Sequence, residues 1–173
     1  MYMNLPKYSK GFTLLELLIS VSIIGILAAG IIPSFNSYIK NQNIRQAQEQ
    51  IKSDLRSIQN RALTGSSSTK LIGGSTVKYW VARFATNSGQ YKYYTSVNQD
   101  CSTISDPSPV TATIPNGIVF SGNSDKCLFF SFENGDISNV GESNLYVVIS
   151  YPDGSVSKKV HFNQAGLIYT YDE

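Results

Sequence analysis

At 173 residues the chain holds one domain and an extended segment, and hardly two domains. A hydrophobic content of 42% with 15% charged residues excludes an intrinsically disordered chain and suits a folded protein carrying a membrane or secretory element. The formal net charge of +2 is supplied by Lys7 and Lys10; from Phe12 onward twelve basic residues face twelve acidic ones, which leaves no basic excess to draw the chain onto nucleic acid or an anionic surface.

The first element along the chain is apolar, "GFTLLELLISVSIIGILAAGIIPSF". Residues 17–39 carry no charge, a run longer than the roughly 20 residues a helix needs to cross a bilayer. Lys7 and Lys10 precede it with no acid nearby, which keeps the N-terminus in the cytoplasm and exports the rest of the chain. An ordinary secretory signal peptide is the competing reading, because "ILAAG" offers a small-residue cleavage site near Gly30. Against it stand Glu16, which a signal peptide has no use for, and a helical pattern that continues past the cut. A carboxylate in hydrocarbon is costly, so Glu16 is a functional residue by default.

The segment "KGFTLLELL" resembles the N-terminal motif of type IV pilins and type II secretion pseudopilins: a short basic leader, a Gly, an aromatic residue, and a Glu four positions after that aromatic. The resemblance covers roughly residues 7–35 and includes Pro33. It implies that prepilin peptidase cuts between Gly11 and Phe12 and methylates the new Phe12 amine. It further implies a single-pass inner-membrane protein that assembles, through an inner-membrane platform, with other pilin or pseudopilin subunits into a filament in the periplasm or at the cell surface. The role of Glu16 also follows from physics. Cleavage places a positive amine on Phe12, about 6 Å along a helix from Glu16. Buried carboxylate and amine are each tolerable when paired. In a bundle of parallel, axially offset copies, one subunit's Glu16 meets the next subunit's amine, which favours assembly and sets register; the family assigns Glu16 that role.

Beyond Pro33 the pattern stays helical but becomes one-sided. Ile44, Ala47, Ile51, Leu55, Ile58 and Ala62 recur at spacings of three and four through "NIRQAQEQIKSDLRSIQNRAL", a stripe that should pack on a sheet. Lys40, Arg45, Glu49, Lys52, Asp54, Arg56 and Arg61 form the other face, read as solvated. Gly65 and the polar run "TGSSST" end the helix. Gly25, Gly30 and Pro33 are places for it to bend. The expected organisation is a leader over 1–11, a long helix over 12–64 whose first half crosses the membrane, and a β-rich head over 65–173.

The remainder reads as strands and turns. "TVKYWVARFAT" and "YKYYTSV" flank "NSGQ" as a hairpin. "VTATI", "GIVFS", "CLFFSF", "LYVVISY", "SVSKKVHF" and "LIYTY" follow, β-branched and aromatic segments with "PDGS" and "NQAG" as late turns. The fold class is α+β, with an antiparallel sheet or two against the amphipathic half of the helix. This end resembles the H-type minor pseudopilins, whose helix is followed by strands alone.

Cys101 and Cys127 are the two cysteines. Export places them where disulfides persist, so a bridge is expected, with two buried free thiols as the alternative. No CxxC or His cluster offers zinc ligands. His161, the single histidine, lies in "KKVHF" and reads as a strand residue, not a catalytic base; no nucleophile motif accompanies it, and neither an enzyme nor a cofactor is expected. Glu133, Asp136, Asn139 and Glu142 in "ENGDISNVGE" are oxygen donors suited to Ca²⁺, but Asn-Gly-Asp is ordinary turn chemistry and no metal is assigned. "LIGGST" lacks the GK[ST] of a P-loop and reads as loop. In "YKYY", Lys92 interleaves with Tyr91, Tyr93 and Tyr94 as in single-strand-binding surfaces, although alternation sends part of the set to the core. The alternative function is a DNA-uptake pilus subunit. The ending "YTYDE", with Asp172 and Glu173 and no basic residue after Lys159, counts against nucleic acid as a partner.

Overall fold

The computed structural model describes residues 11–102, 106–122, 125–138 and 145–170, and the side chains of residues 30–34 lie outside the description. Lys7, Lys10, Asn139, Glu142, Asp172, Glu173 and the side chain of Pro33 therefore fall outside the described residues. The chain divides into two units, residues 1–39 and 40–173, and the helix α1 (Leu14–Leu63) supplies residues to both.

In the first unit, α1 starts at Leu14 and not at Phe12, because Thr13 takes the capping position. Among the described residues, no helix is long and apolar enough to cross a membrane. The uncharged run 17–39 takes in residues 30–34, and the described apolar stretch ahead of them, residues 14–29, is shorter than the roughly 20 residues a crossing needs.

In the second unit every residue of the expected stripe is buried: Ile44, Ala47, Ile51, Leu55, Ile58 and Ala62. α1 closes on a Schellman motif, with Gly65 N donating to Ala62 O (3.0 Å) and Ser66 N to Arg61 O (2.9 Å). Gly65 sits at φ +63°, which a side chain would strain.

Eleven strands follow among the described residues, and every pairing is antiparallel. β1 (Leu71–Ile72) and β2 (Ser75–Thr76) make a small hairpin across Gly73 and Gly74. Here "LIGGST" corrects the loop reading, since two glycines at positive φ are the usual chemistry of a two-residue hairpin turn. β3 (Tyr79–Phe84), β4 (Gln90–Ser96), β5 (Val110–Thr113), β7 (Lys126–Ser131) and β8 (Ile137–Ser138) form a five-stranded sheet in the order β5-β4-β3-β7-β8. β6 (Val119–Ser121), β9 (Leu145–Ser150), β10 (Ser157–Phe162) and β11 (Ile168–Tyr169) form a second sheet, β11-β10-β9-β6. The α+β reading with antiparallel sheets holds, and the 87–90 hairpin joins β3 to β4.

Alternation along the strands decides what each face holds. Trp80, Ala82 and Phe84 of β3, Tyr91 of β4, and Leu128 and Phe130 of β7 share one core with the helix stripe. Phe120, Leu145, Val147, Ile149, Val160, Phe162 and Ile168 bring the second sheet into that same core. One apolar stripe thus covers the inner faces of both sheets. At the helix end the β10–β11 turn comes so close that a Cβ on Gly166 would strike the Gln59 side chain.

The outer face of the five-stranded sheet has its own small cluster, Val81, Cys127 and Phe129, packed by Tyr79, Tyr94 and Cys101. Cys101 and Cys127 are joined by a disulfide with a Cα–Cα distance of 5.9 Å. A second tether lies nearby at Asp106, whose side chain is 3% exposed. It accepts from Lys70 Nζ (2.8 Å), from Thr95 N (2.8 Å) and Oγ1 (2.6 Å), and from Ser108 N (3.0 Å). Burial alone would raise this carboxyl, but the hydrogen bonds from Lys70, Thr95 and Ser108 outweigh it and hold Asp106 well below the usual carboxylate range.

Each tether can be cut separately. The double variant Cys101→Ser, Cys127→Ser should lose about 3–4 kcal/mol of unfolding free energy in the chain-entropy picture for a loop of 26 residues. Thiol labelling of unfolded, unreduced protein should find no reactive group, and two labelled thiols in exported protein would contradict the bridge. For Asp106 the folded pKa is depressed, so its stabilisation is present above the unfolded value of about 3.9 and is lost as pH falls through the folded one. Asp106→Asn should therefore cost about 1–3 kcal/mol at neutral pH, a range discounted for the partial exposure of Lys70. Urea melts between neutral and acid pH should show a shallower stability loss for the variant than for the parent; parallel curves would refute this.

Candidate processing and assembly segment

The chain enters α1 through Gly11, Phe12 and Thr13, none of which belongs to the helix. Phe12 is 82% exposed and Gly11 has open space where a Cβ would stand, so the peptide bond between them is reachable from solvent. Thr13 Oγ1 accepts from Glu16 N at 3.2 Å, and Thr13 O accepts from Leu17 N at 3.2 Å. Thr13 is thus the N-cap and Glu16 the third helical residue, the spacing of a capping box. The exposed Glu16 carboxylate lies in the first turn, where unsatisfied N–H groups favour negative charge. The sequence reading missed this local role, although Thr-x-x-Glu ahead of an apolar run is its standard signal.

Downstream of Glu16, over residues 17–27, the helix exposes large apolar side chains all round, from Ile19 at 49% to Ile26 at 76%. Because neighbouring positions such as Leu17, Leu18 and Ile19 point to different faces, no single partner surface covers them; the segment suits apolar surroundings on every side. Two of its hydroxyls are returned to the helix backbone: Ser20 Oγ donates to Glu16 O and Ser22 Oγ to Leu18 O, both at 2.8 Å.

The head's candidate residues resolve into structural roles. His161 lies half-buried on β10, with ring centroids 5.5 Å from both Tyr146 and Tyr169 on the flanking strands. Tyr91 is core and donates its hydroxyl to Asp54 of α1, Tyr93 packs beside it, and Lys92 is exposed on the opposite face. Burial, with the Asp54 carboxylate beside it, pushes the Tyr91 phenol far up; burial likewise pushes Tyr93 up to about 12. The charged helix face is solvated at Arg45, Glu49, Arg56 and Arg61 and partly covered at Lys40, Lys52 and Asp54, and several of its charges have partners. Asp54 is engaged by Tyr91, Lys40 pairs with Asp153 at 2.7 Å, Lys52 pairs with Glu49 at 3.0 Å, and Arg61 lies 5.6 Å over the Trp80 ring. The Tyr91, Asp153 and Trp80 partners lie far away in the sequence and are invisible to periodicity, whereas Lys52 with Glu49 is a local i,i+3 pair. In "ENGDIS", Asp136 holds the Asn134 amide, and Ile137 opens β8; among the described residues, no group of three His, Cys, Asp or Glu could hold a metal.

Residues 6–32 match the family described as the prokaryotic N-terminal methylation motif. This N-terminal segment is type IV pilin-like. It is 57% identical over 42 residues to a type IV major fimbrial protein FimA of Dichelobacter nodosus, covering 24% of this chain and 26% of that protein. A protein named fimbrial protein from the same organism is 70% identical over 35 residues, 20% of this chain and 22% of its own length. The chain thus spans about a quarter of the length of the curated relatives it matches. No solved structure matches.

Proposed function

We propose that the protein is a structural filament subunit, a minor pilin or pseudopilin of a type IV pilus or type II secretion pseudopilus. The observation that carries this reading is the methylation motif at residues 6–32, which holds Gly11, Phe12 and Glu16 at the start of a helix apolar on all sides. Residues 1–11 act as the leader, residues 12–64 as the assembly helix and residues 65–173 as the exported head. Prepilin peptidase cuts the exposed bond between Gly11 and Phe12 and methylates the new amine. The uncharged run 17–39 supports a single pass through the inner membrane with the N-terminus inside. An assembly platform then draws the helix from lipid into a filament core, in the periplasm or at the cell surface, where neighbouring helices replace lipid as its apolar surroundings. Glu16 is the polar exception in that core, and the Phe12 amine of an adjacent subunit is its partner. The role is structural, with no reaction of its own.

Intact-mass analysis of protein made beside prepilin peptidase should give a chain starting at Phe12 with one added methyl group. A start near Ile31 would mean ordinary signal peptidase and would overturn the reading. Glu16→Ala leaves the helix apolar, so membrane insertion should survive while incorporation into sheared filaments falls about tenfold, the size of one lost charge-assisted pair. Undiminished incorporation by immunoblot would reject the pairing role in this subunit.

A further inference from the structure

Asn-Gly occurs twice in the head, at Asn116 with Gly117 and at Asn134 with Gly135, in opposite surroundings. We infer that Asn116 is a site of spontaneous modification, losing its side-chain amide to water to become aspartate and isoaspartate, while the fold protects Asn134. The reaction needs three things of an asparagine. The next residue must lack a Cβ that blocks ring closure, its backbone N–H must be free, and the asparagine amide must be able to swing onto it.

At Asn116 all three are met. Asn116 (φ +63°) and Gly117 (φ +69°) form the two-residue centre of the turn 115–118, closed by Ile118 N donating to Pro115 O at 3.5 Å. Both residues are exposed, and nothing lies within 4 Å of the Cβ position at Gly117. Neither the Asn116 amide nor the Gly117 N–H takes part in a hydrogen bond among the described residues. At Asn134 only the first is met. Asn134 Nδ2 donates to Asp136 Oδ2 (2.6 Å), its Oδ1 accepts from Asp136 N (3.1 Å), and Gly135 N donates to Ser131 O (2.9 Å). The Cβ position of Gly135 is filled by the Leu63 side chain, so the turn has no room to rearrange.

In the reaction the Gly117 nitrogen attacks Asn116 Cγ. The new C–N bond closes a succinimide, the Cγ–Nδ2 bond breaks, and the Gly117 amide proton leaves with ammonia. Water then opens the ring: cleavage at Cγ gives aspartate, and cleavage at the backbone carbonyl gives isoaspartate. The sum is asparagine plus water to aspartate or isoaspartate plus ammonia, with no oxidant or reductant.

The place in the fold gives the change a consequence. The turn carries the chain from β5 of one sheet to β6 of the other, between the buried Ile114 and Ile118. Aspartate adds a negative charge at an exposed position and keeps a turn-forming side chain. Isoaspartate routes the backbone through the side-chain carbon and lengthens the link between two anchored residues, one of which, Ile114, donates its N–H to Gly89 O at 2.7 Å.

The test is peptide mapping of the full, folded protein after prolonged incubation in mildly alkaline buffer, with isoaspartyl methyltransferase labelling as the second readout. Conversion at Asn116 should run at least about tenfold faster than at Asn134 in folded protein, and the two rates should converge in urea, where local protection is gone. The variant Asn116→Gly, which suits a left-handed turn position, should fold and lose methyl acceptance at this site. Asn134 keeping pace with Asn116 in folded protein would overturn the inference, as would Asn116 persisting when folded yet converting in urea.

Discussion

Burial of Ile44, Ala47, Ile51, Leu55, Ile58 and Ala62 against the inner faces of two separate sheets is the contact around which the head is arranged. A sheet with one apolar face needs a covering layer, and here one helix stripe serves both sheets. The four large aliphatic side chains of the stripe are each worth about 1.5–3 kcal/mol of burial, so together they approach the net stability of a whole domain. Polar side chains at the stripe's margins fix where along the sheets it lies. Gln48 donates to Lys159 O on β10, Gln50 to Thr113 O on β5, and Gln59 to Gly135 O beyond β7. A slide of the helix by one turn would break all three, which a purely apolar contact would tolerate.

The outer face of the five-stranded sheet is covered differently. No second helix is present among the described residues, and the apolar Val81 and Phe129 on that face are sheltered by Tyr79, Tyr94 and the bridged Cys101. A loop has little apolar surface with which to hold itself down, so covalent and ionic links take over. The disulfide fixes Cys101 to β7, and Asp106 fixes the return of the loop to β4 and to Lys70. The two tethers differ in kind: reduction breaks one and acid the other.

Much of this architecture is legible in the sequence because it rests on periodicity or on turn chemistry. The helix stripe appears residue for residue, and the hairpin around "NSGQ" lies where its letters place it. The cysteine pair follows from compartment more than from geometry. Illegible are contacts between residues far apart in the chain that no local pattern encodes. Asp54 looks like one more solvated charge, yet it accepts from Tyr91, 37 residues away. Lys40 and Asp153 meet across 113 residues. Two other features carry a local signal that the sequence reading passed over. "LIGGST" spells its hairpin turn in two adjacent glycines, and Thr13 with Glu16 spells a capping box. At Glu16 the cost of a carboxylate in apolar surroundings masks the same spacing's meaning for the helix start.

That double meaning of Glu16 bears on the proposed mechanism. A carboxylate at the third position of a helix interacts with the unsatisfied N–H groups of the first turn before any partner arrives. The charge is therefore not stranded in the unassembled chain. An incoming ammonium from a neighbouring subunit has to compete with, or add to, an interaction worth about 0.3–1 kcal/mol at an exposed helix end. In apolar surroundings a full counter-charge outweighs partial backbone charges, so the balance would tip toward the proposed intersubunit pair when that counter-charge arrives. On this account the first-turn N–H groups keep Glu16 tolerable while the subunit waits, and the proposed arrival of a full counter-charge on assembly makes it decisive.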